Sequence, residues 1–177
     1  EFNDGDINKS GARFDYKKAL WINHLHMKGF SAEKILSLSE EYSLQLNEKY
    51  TTEKSAEVIE LVKERLNTFQ DLGRELGVFL RQPKEYDLCV VEKIGRETAF
   101  DILNFCKLNE SIMSNPRVLK KELMDFGSKN EISFGNIMKT LRLCLVGNLS
   151  GPDLFKIIEI IGPEETLHRI ESLTNKI

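Results

Sequence analysis

Apolar residues recur at helical spacing along most of the chain. The first such stretch begins after Asp15, which can cap a helix, and ends near Gly29. Residues three or four positions apart lie on one helix face, so this spacing predicts an amphipathic helix. Three more helices are predicted by the same pattern: from Ser31 to about Glu48, after Thr52, and from about Thr68 to a point before Pro83.

The second half of the chain repeats this pattern. Ser133 can cap a long apolar helix that ends at Gly147, and no alternating apolar and polar stretch with a hairpin turn indicates a strand. We therefore predict an all-α fold. The other helical segments expected here are the apolar runs near Leu88–Ile94 and Ala99–Leu108, a helix over Pro116–Asp125, and two short closing helices opened by Pro152 and Pro163.

A polar, proline-bearing stretch, Arg81–Glu85, separates the two groups of predicted helices. Such stretches are typical of domain boundaries. We therefore predict two consecutive helical subdomains, 31–83 and 84–177, preceded by a leading segment, 1–30, that includes the first helix.

Composition places the chain among ordinary globular proteins. It has 177 residues, of which 41% are hydrophobic and 30% charged, and its formal net charge is −3. The stretch from residue 111 to residue 150 is locally basic, with six Lys or Arg against three Asp or Glu. Lysines and arginines on helix faces are often only solvated, so charge alone does not identify a partner.

The sequence offers no candidate catalytic or metal site. His24 and His26 are two positions apart on a predicted helix and point in different directions, which disfavours a shared metal ion. The three cysteines, Cys89, Cys106 and Cys144, lie in apolar sequence and are expected to be buried, reduced thiols. Since no spanning segment is found either, we expect a binding protein, without membrane association, rather than an independent enzyme.

One segment, Leu141–Phe155, is difficult to explain by packing alone. An apolar helix interrupted by Arg142 ends at Gly147, and a short loop containing Pro152 leads into the next helix. Backbone donors at a helix N-terminus beside an arginine suit an anionic group or the edge of a nucleotide base. A purely structural helical hairpin explains most of the same residues, and these residues alone leave both interpretations open.

Two motifs resemble the glutamyl-tRNA synthetases of the bacterial and mitochondrial type. Leu141–Phe155, followed by an apolar helix and Gly162, resembles the closing motif of that family, and Gly11–Asp15 with Leu20–Asn23 resembles the segment that follows its signature lysine loop. The resemblance covers nearly the whole chain. It implies the region after the catalytic domain, namely the end of the stem-contact region and two α-helical anticodon-binding subdomains.

The resemblance also implies roles for individual residues. Arg65 matches the arginine that contacts the third anticodon base and favours cytosine over guanine, and Arg142 matches the arginine near the first base. Trp21 matches a supporting aromatic residue after the stem-contact region. The remaining implied contacts are Gly151, Pro152 and Leu154 at the loop–helix junction, with Lys63 and Lys139 at the tRNA backbone.

By this resemblance, the expected function is recognition of the anticodon of tRNA(Glu), with tRNA(Gln) as a second candidate. The parent enzyme would attach glutamate to tRNA with ATP and Mg²⁺, whereas this chain would need no cofactor and would be inactive alone. We expect a monomer in the bacterial cytoplasm, with an organelle as the second choice. The alternative is a helical protein–protein interaction module without a nucleic-acid role.

Overall fold

A computed structural model describes residues 14–177, and every regular element in this range is helical. Gly11, Ala12 and Arg13 of the opening motif lie outside the described residues. The prediction of an all-α fold is confirmed. The helices are α1 (Tyr16–Gly29), α2 (Ala32–Leu38), α3 (Glu40–Lys49), α4 (Thr52–Lys63), α5 (Asp71–Leu80), α6 (Cys89–Ile94), α7 (Arg96–Leu108), α8 (Pro116–Lys129), α9 (Phe134–Val146) and α10 (Leu154–Thr174), with a 3₁₀ helix at Glu110–Ser114 between α7 and α8.

Side-chain caps start most of the helices that the sequence predicts. The carboxylate of Asp15 accepts a hydrogen bond from Lys18 N at 3.1 Å, and Ser31 and Ser133 cap α2 and α9 in the same way. Such a cap satisfies one of the backbone donors that a helix start leaves without an intrahelical partner. Short polar residues before an apolar stripe therefore located these helix starts correctly.

Two helix predictions in the first half need correction. The helix expected from Ser31 to Glu48 is broken at Ser39, whose hydroxyl donates to the Ile35 carbonyl at 2.6 Å and competes with the backbone ladder. The helix expected from Thr68 begins only at Asp71. The carboxylate of Asp71 accepts hydrogen bonds from Asn67 N and Thr68 N, both at 2.9 Å, and holds the preceding residues in a turn.

The end of the chain also differs in detail from the prediction. Pro152 precedes α10 without belonging to it, because Asp153 is the capping residue. Gly162 interrupts α10 with φ 82° and ψ 170°, a conformation that only glycine adopts readily, and Pro163 follows it. Two helical pieces are therefore present, as predicted, but only the second opens with a proline.

Gly147 ends α9 in the left-handed conformation, with φ 84°. A Cβ at this position would lie 2.6 Å from the Glu85 carbonyl oxygen, and the Gly147 carbonyl accepts a hydrogen bond from Asp87 N at 2.9 Å. The glycine therefore ends the helix and also lets the segment that joins the two halves pass close to it.

A fully buried arginine connects the two halves of the fold. Arg169 of α10 donates hydrogen bonds through Nη1 to the carbonyl oxygens of Val78 at 2.7 Å and Leu145 at 2.8 Å, and through Nε to Glu165 at 2.7 Å. Val78 and Leu145 lie in the last turns of α5 and α9, where carbonyls lack intrahelical partners. One side chain thus links α5, α9 and α10.

The thiols divide into two classes. Cys106 and Cys144 are buried, and burial raises the pKa of Cys106 to about 12 and that of Cys144 well above its usual value. Cys89 is exposed at the start of α6, so the expectation that all three are buried is wrong for this residue. The turn before α6 leaves it on the solvent side of a short helix whose buried residues are Val90 and Val91.

The division of the chain at 83 and 84 remains a prediction. Residues 81–88 carry no helix and lie between α5 and α6, while contacts between α5 and α10 join the two sides. Within residues 14–177, no helix is both long enough and apolar enough to cross a bilayer.

Candidate nucleic-acid interface

Arg65 lies in a tight turn that directly follows α4. Its backbone N–H donates to the Val62 carbonyl at 2.8 Å, and Val62 and Leu66 on either side of it are fully buried. The first helix supports this turn, because His24 Nδ1 lies 2.8 Å from the Leu66 carbonyl oxygen and Lys28 pairs with Glu64. The backbone that carries Arg65 is therefore held from two sides.

The guanidinium of Arg65 contacts both halves of the chain. Its Nε donates to Glu75 Oε2 at 2.6 Å, and its Nη2 donates to the Ser150 hydroxyl at 3.0 Å. The side chain keeps 33% of its surface exposed, whereas that of Glu75 keeps only 6%. Arg65 thus reaches from the first half to the loop after α9 and keeps a solvent-facing edge.

Arg142 approaches the same loop from α9. Its Nη1 donates to the Pro152 carbonyl at 2.8 Å, and a Cβ on Gly151 would lie 3.3 Å from this nitrogen. Partial burial lowers the pKa of Arg142; Asp153 opposes the shift, and the positive charge of Arg65 adds to it. The two arginines that the sequence singled out are therefore close enough to influence each other electrostatically.

The loop 147–153 is held by buried residues and a capped helix. Pro152 is buried and Leu154 is fully buried, so these two residues support the loop, whereas Gly151 lies on its accessible side. The carboxylate of Asp153 accepts from Lys156 N at 3.0 Å. This anionic cap disfavours a phosphate at the N-terminus of α10 and leaves the base-edge interpretation as the better one.

The two lysines expected at a tRNA backbone have different surroundings. Lys139 is exposed on α9, one helical turn before Arg142, and shares its face. Lys63 forms an ion pair with Glu60 and keeps only 17% of its side chain exposed. Trp21 on α1 is 58% exposed. The structure thus places Lys139 beside Arg142, and Lys63 in a local pair near the end of α4.

A cleft of about 430 Å³ lies where the two halves meet, and we call it the junction cleft. Its volume falls within the roughly 300–1,000 Å³ typical of ligand pockets. Its walls are α5, residues 81–84, the end of α9 and the loop 147–153. The charged residues that line it are four cations and one carboxylate: Arg65, Arg74, Arg81, Lys84 and Glu75.

Glu75 and three of these cations, Arg74, Arg81 and Lys84, were not predicted as site residues from the sequence. Arg74 lies within α5, whereas Arg81 is the extended residue at which the helix ends, and both line the cleft together with Gly77. Their spacing of seven positions, which is typical of one helix face, was the signal that the sequence offered. Lys84 and Arg81 were interpreted only as parts of a polar boundary, because their convergence on the cleft depends on how the halves pack.

No group of three His, Cys, Asp or Glu side chains that could hold a metal ion occurs in the described part of the chain. The cleft contains donors and one paired carboxylate, without a nucleophile beside a base. Such a set of groups suits recognition of a polar, anionic ligand better than covalent chemistry.

Comparison with known proteins identifies the family. A family model described as the anticodon binding domain matches residues 31–174. The chain therefore belongs to the anticodon binding domain family. Helix α1 precedes the matched region, and the junction cleft lies within it.

The curated relatives include glutamate–tRNA ligases of bacteria. The chain is 34% identical over 166 residues to the glutamate–tRNA ligase of Azobacteroides pseudotrichonymphae, covering 93% of this chain and 34% of the relative. It is 35% identical over 174 residues to glutamate–tRNA ligase 2 of Nitratiruptor, covering 97% and 37%. The chain thus spans about a third of the length of these relatives, in their C-terminal part.

Solved structures give the same result. A glutamate tRNA ligase from Elizabethkingia meningosepticum, in complex with its amino acid, superposes with a TM-score of 0.81 at 31% identity over 99% of this chain and 35% of that one. The glutamate-tRNA synthetase of Elizabethkingia anophelis gives a TM-score of 0.79 at 29% identity, covering 99% and 34%. The resemblance to glutamyl-tRNA synthetases is confirmed.

Proposed function

We propose that this chain recognises the anticodon loop of tRNA(Glu) in the junction cleft, as the C-terminal part of a glutamate–tRNA ligase. One observation carries the proposal: Arg65 and Arg142, on different halves of the chain, meet at the loop 147–153 through Ser150 and Pro152. Family membership and the relatives support it.

The chemistry of the cleft suits single-stranded RNA. Unstacked bases of an anticodon loop expose their Watson–Crick edges, and the planar guanidinium group can donate two hydrogen bonds to such an edge. The lining residues Arg74, Arg81 and Lys84 add positive charge that attracts the phosphates between the bases. Base reading and backbone attraction would therefore occur in one concave site.

Within this proposal, Arg65 reads the third anticodon base. Its Nη2 faces the neutral hydroxyl of Ser150, a partner that a base can replace, and its side chain is partly exposed. A bidentate contact from arginine discriminates between bases by roughly 1–3 kcal/mol. A preference for cytosine over guanine at this base would favour tRNA(Glu) over tRNA(Gln).

Filter-binding titrations with an unmodified tRNA(Glu) transcript test the proposal. We expect selective binding relative to a non-cognate tRNA and an affinity that falls with salt, by roughly 0.7 log units per log unit of salt for each single-strand phosphate contact. Equal, salt-independent binding to both tRNAs would refute it. That result would favour the protein–protein interaction module.

We further propose that glutamate attachment with ATP and Mg²⁺ belongs to other parts of the full-length ligase. The chain alone would be a monomer without ligase activity, and the bacterial relatives support a cytoplasmic location. Incubation of the chain with glutamate, ATP, Mg²⁺ and tRNA(Glu) should yield no charged tRNA. Charging above the enzyme-free background would contradict this part of the proposal, and light scattering tests the monomer.

A further inference from the structure

A nearly buried carboxylate lies between two arginines beside the junction cleft. Glu75 of α5 is 5% exposed. Its Oε2 accepts from Arg65 Nε at 2.6 Å, and its Oε1 accepts from Arg74 Nε at 3.1 Å. Removing a carboxylate from water is costly unless charged donors replace the lost hydration. Each oxygen has such a donor here, so the carboxylate is held by both arginines.

Arg74 is itself fixed from the other side. Its Nη2 donates to Asp71 Oδ1 at 3.0 Å, and Asp71 Oδ2 accepts from the backbone N–H groups of Asn67 and Thr68 at 2.9 Å each. A continuous chain of hydrogen bonds therefore runs from the turn before α5 through Asp71, Arg74 and Glu75 to Arg65. The alternating charges along it favour a single arrangement of the side chains.

This chain of contacts determines which edge of Arg65 faces the cleft. A guanidinium is planar and its five N–H groups point in fixed directions, so a short bond at Nε sets the directions in which the Nη groups donate. Nη2 donates to the Ser150 hydroxyl at 3.0 Å. A ligand can replace the neutral, exposed hydroxyl without loss of a charged contact, whereas the bond to the buried Glu75 carboxylate is stronger and remains.

We propose that Glu75 is a positioning residue that determines the base preference of Arg65. It holds the guanidinium by Nε so that the Nη edge meets a base in one orientation only. This inference rests on the proposed function, namely that Arg65 reads the third anticodon base. It predicts that Glu75 affects the selectivity between bases, beyond any effect on overall affinity.

The test compares the dissociation constants for two tRNA(Glu) transcripts that differ only in the third anticodon base, cytosine or guanine. The unchanged chain should prefer cytosine by roughly tenfold or more. Glu75→Gln keeps the size of the side chain but offers an acceptor to only one arginine, so the preference should fall to about threefold or less. In the Arg65→Ala background, Glu75→Gln should change the ratio no further, since its effect acts through Arg65.

Glu57→Gln is the matched control, because Glu57 is exposed on α4 and does not line the junction cleft. It makes the same change in net charge and should keep the wild-type ratio. Glu75→Asp keeps the charge but shortens the side chain by one methylene group, so the ratio of the two dissociation constants should be intermediate. This variant tests the inference even if Glu75→Gln does not fold, and a wild-type ratio for Glu75→Asp would then overturn it.

The possible outcomes distinguish a failure of the role of Glu75 from a failure of the proposed role of Arg65. If Arg65→Ala abolishes the preference while Glu75→Gln weakens both affinities equally, Glu75 is only structural and the positioning inference is wrong. The two single effects on the ratio of dissociation constants could also combine independently in the Arg65→Ala, Glu75→Gln double variant. In that case Glu75 does not act through Arg65, and the inference is also wrong. If Arg65→Ala itself leaves the ratio unchanged, the proposed role of Arg65 fails, and the role of Glu75 fails with it.

Discussion

Replacing Arg169 with methionine should destabilise the fold more than any replacement of a surface arginine. The side chain is fully buried, and its loss leaves the carbonyl oxygens of Val78 and Leu145 without their donors. Breaking a buried charged contact costs about 3–5 kcal/mol. One guanidinium nitrogen, Nη2, is buried without a partner among the described residues, and removing it returns about 1 kcal/mol. We therefore expect a net loss of roughly 2–4 kcal/mol.

Urea unfolding followed by circular dichroism measures this change in the free energy of unfolding. Arg96→Met is the matched control, because Arg96 is exposed at the start of α7, and surface substitutions usually change stability by less than about 0.5 kcal/mol. If Arg169→Met lowers the free energy of unfolding no more than Arg96→Met does, the link between α5, α9 and α10 contributes no stability, and the reasoning is refuted.

Two further predictions concern the stability of the fold. Gly147→Ala should cost about 1–3 kcal/mol, because φ is 84° and the new Cβ would lie 2.6 Å from the Glu85 carbonyl oxygen; an unchanged urea midpoint would contradict it. Because burial raises the thiol pKa of Cys106 to about 12 and raises the pKa of Cys144 well above its usual value, the folded state keeps protons that the unfolded thiols lose above their usual pKa of 9.0. This stabilisation is complete below pH 9 and is lost as the pH rises; for Cys106 the loss is about 1.4 kcal/mol by pH 10 and continues toward pH 12, and for Cys144 it has the same sign. Replacing both cysteines with alanine should therefore reduce the drop in unfolding free energy between pH 8 and pH 10, and an identical drop would refute it.

The sequence predicted those elements whose signals are local. A cap such as Ser133 and a stop such as Gly147 act through hydrogen bonds and φ angles within a few residues, and both were located correctly. The break at Ser39 was missed, because a serine inside an apolar pattern does not reveal whether its hydroxyl will bond the preceding turn. Gly162 was expected to separate two helices, and it does.

The site was predictable only in part. The resemblance singled out Arg65 and Arg142, and the structure brings both to the loop 147–153. It did not single out Glu75, because an isolated glutamate in a helix reads as a solvated residue, and its burial between two arginines depends on the packing of α5 against the turn after α4. The exposure of Cys89 was missed for the same reason: burial depends on tertiary packing, whereas the neighbouring residues are only apolar in sequence.

Recognition of the anticodon loop in the junction cleft can be tested by an NMR titration of the isotope-labelled chain with the anticodon stem-loop of tRNA(Glu). We expect amide shift changes concentrated at the junction cleft, namely at Arg65, along α5, at residues 81–84 and in the loop 147–153. A stem-loop with its three anticodon bases replaced should shift these amides less at equal concentration. Shift changes confined to another surface, such as the groove between α2, α4 and α10 lined by Glu33, Glu53 and Glu57, would contradict the account.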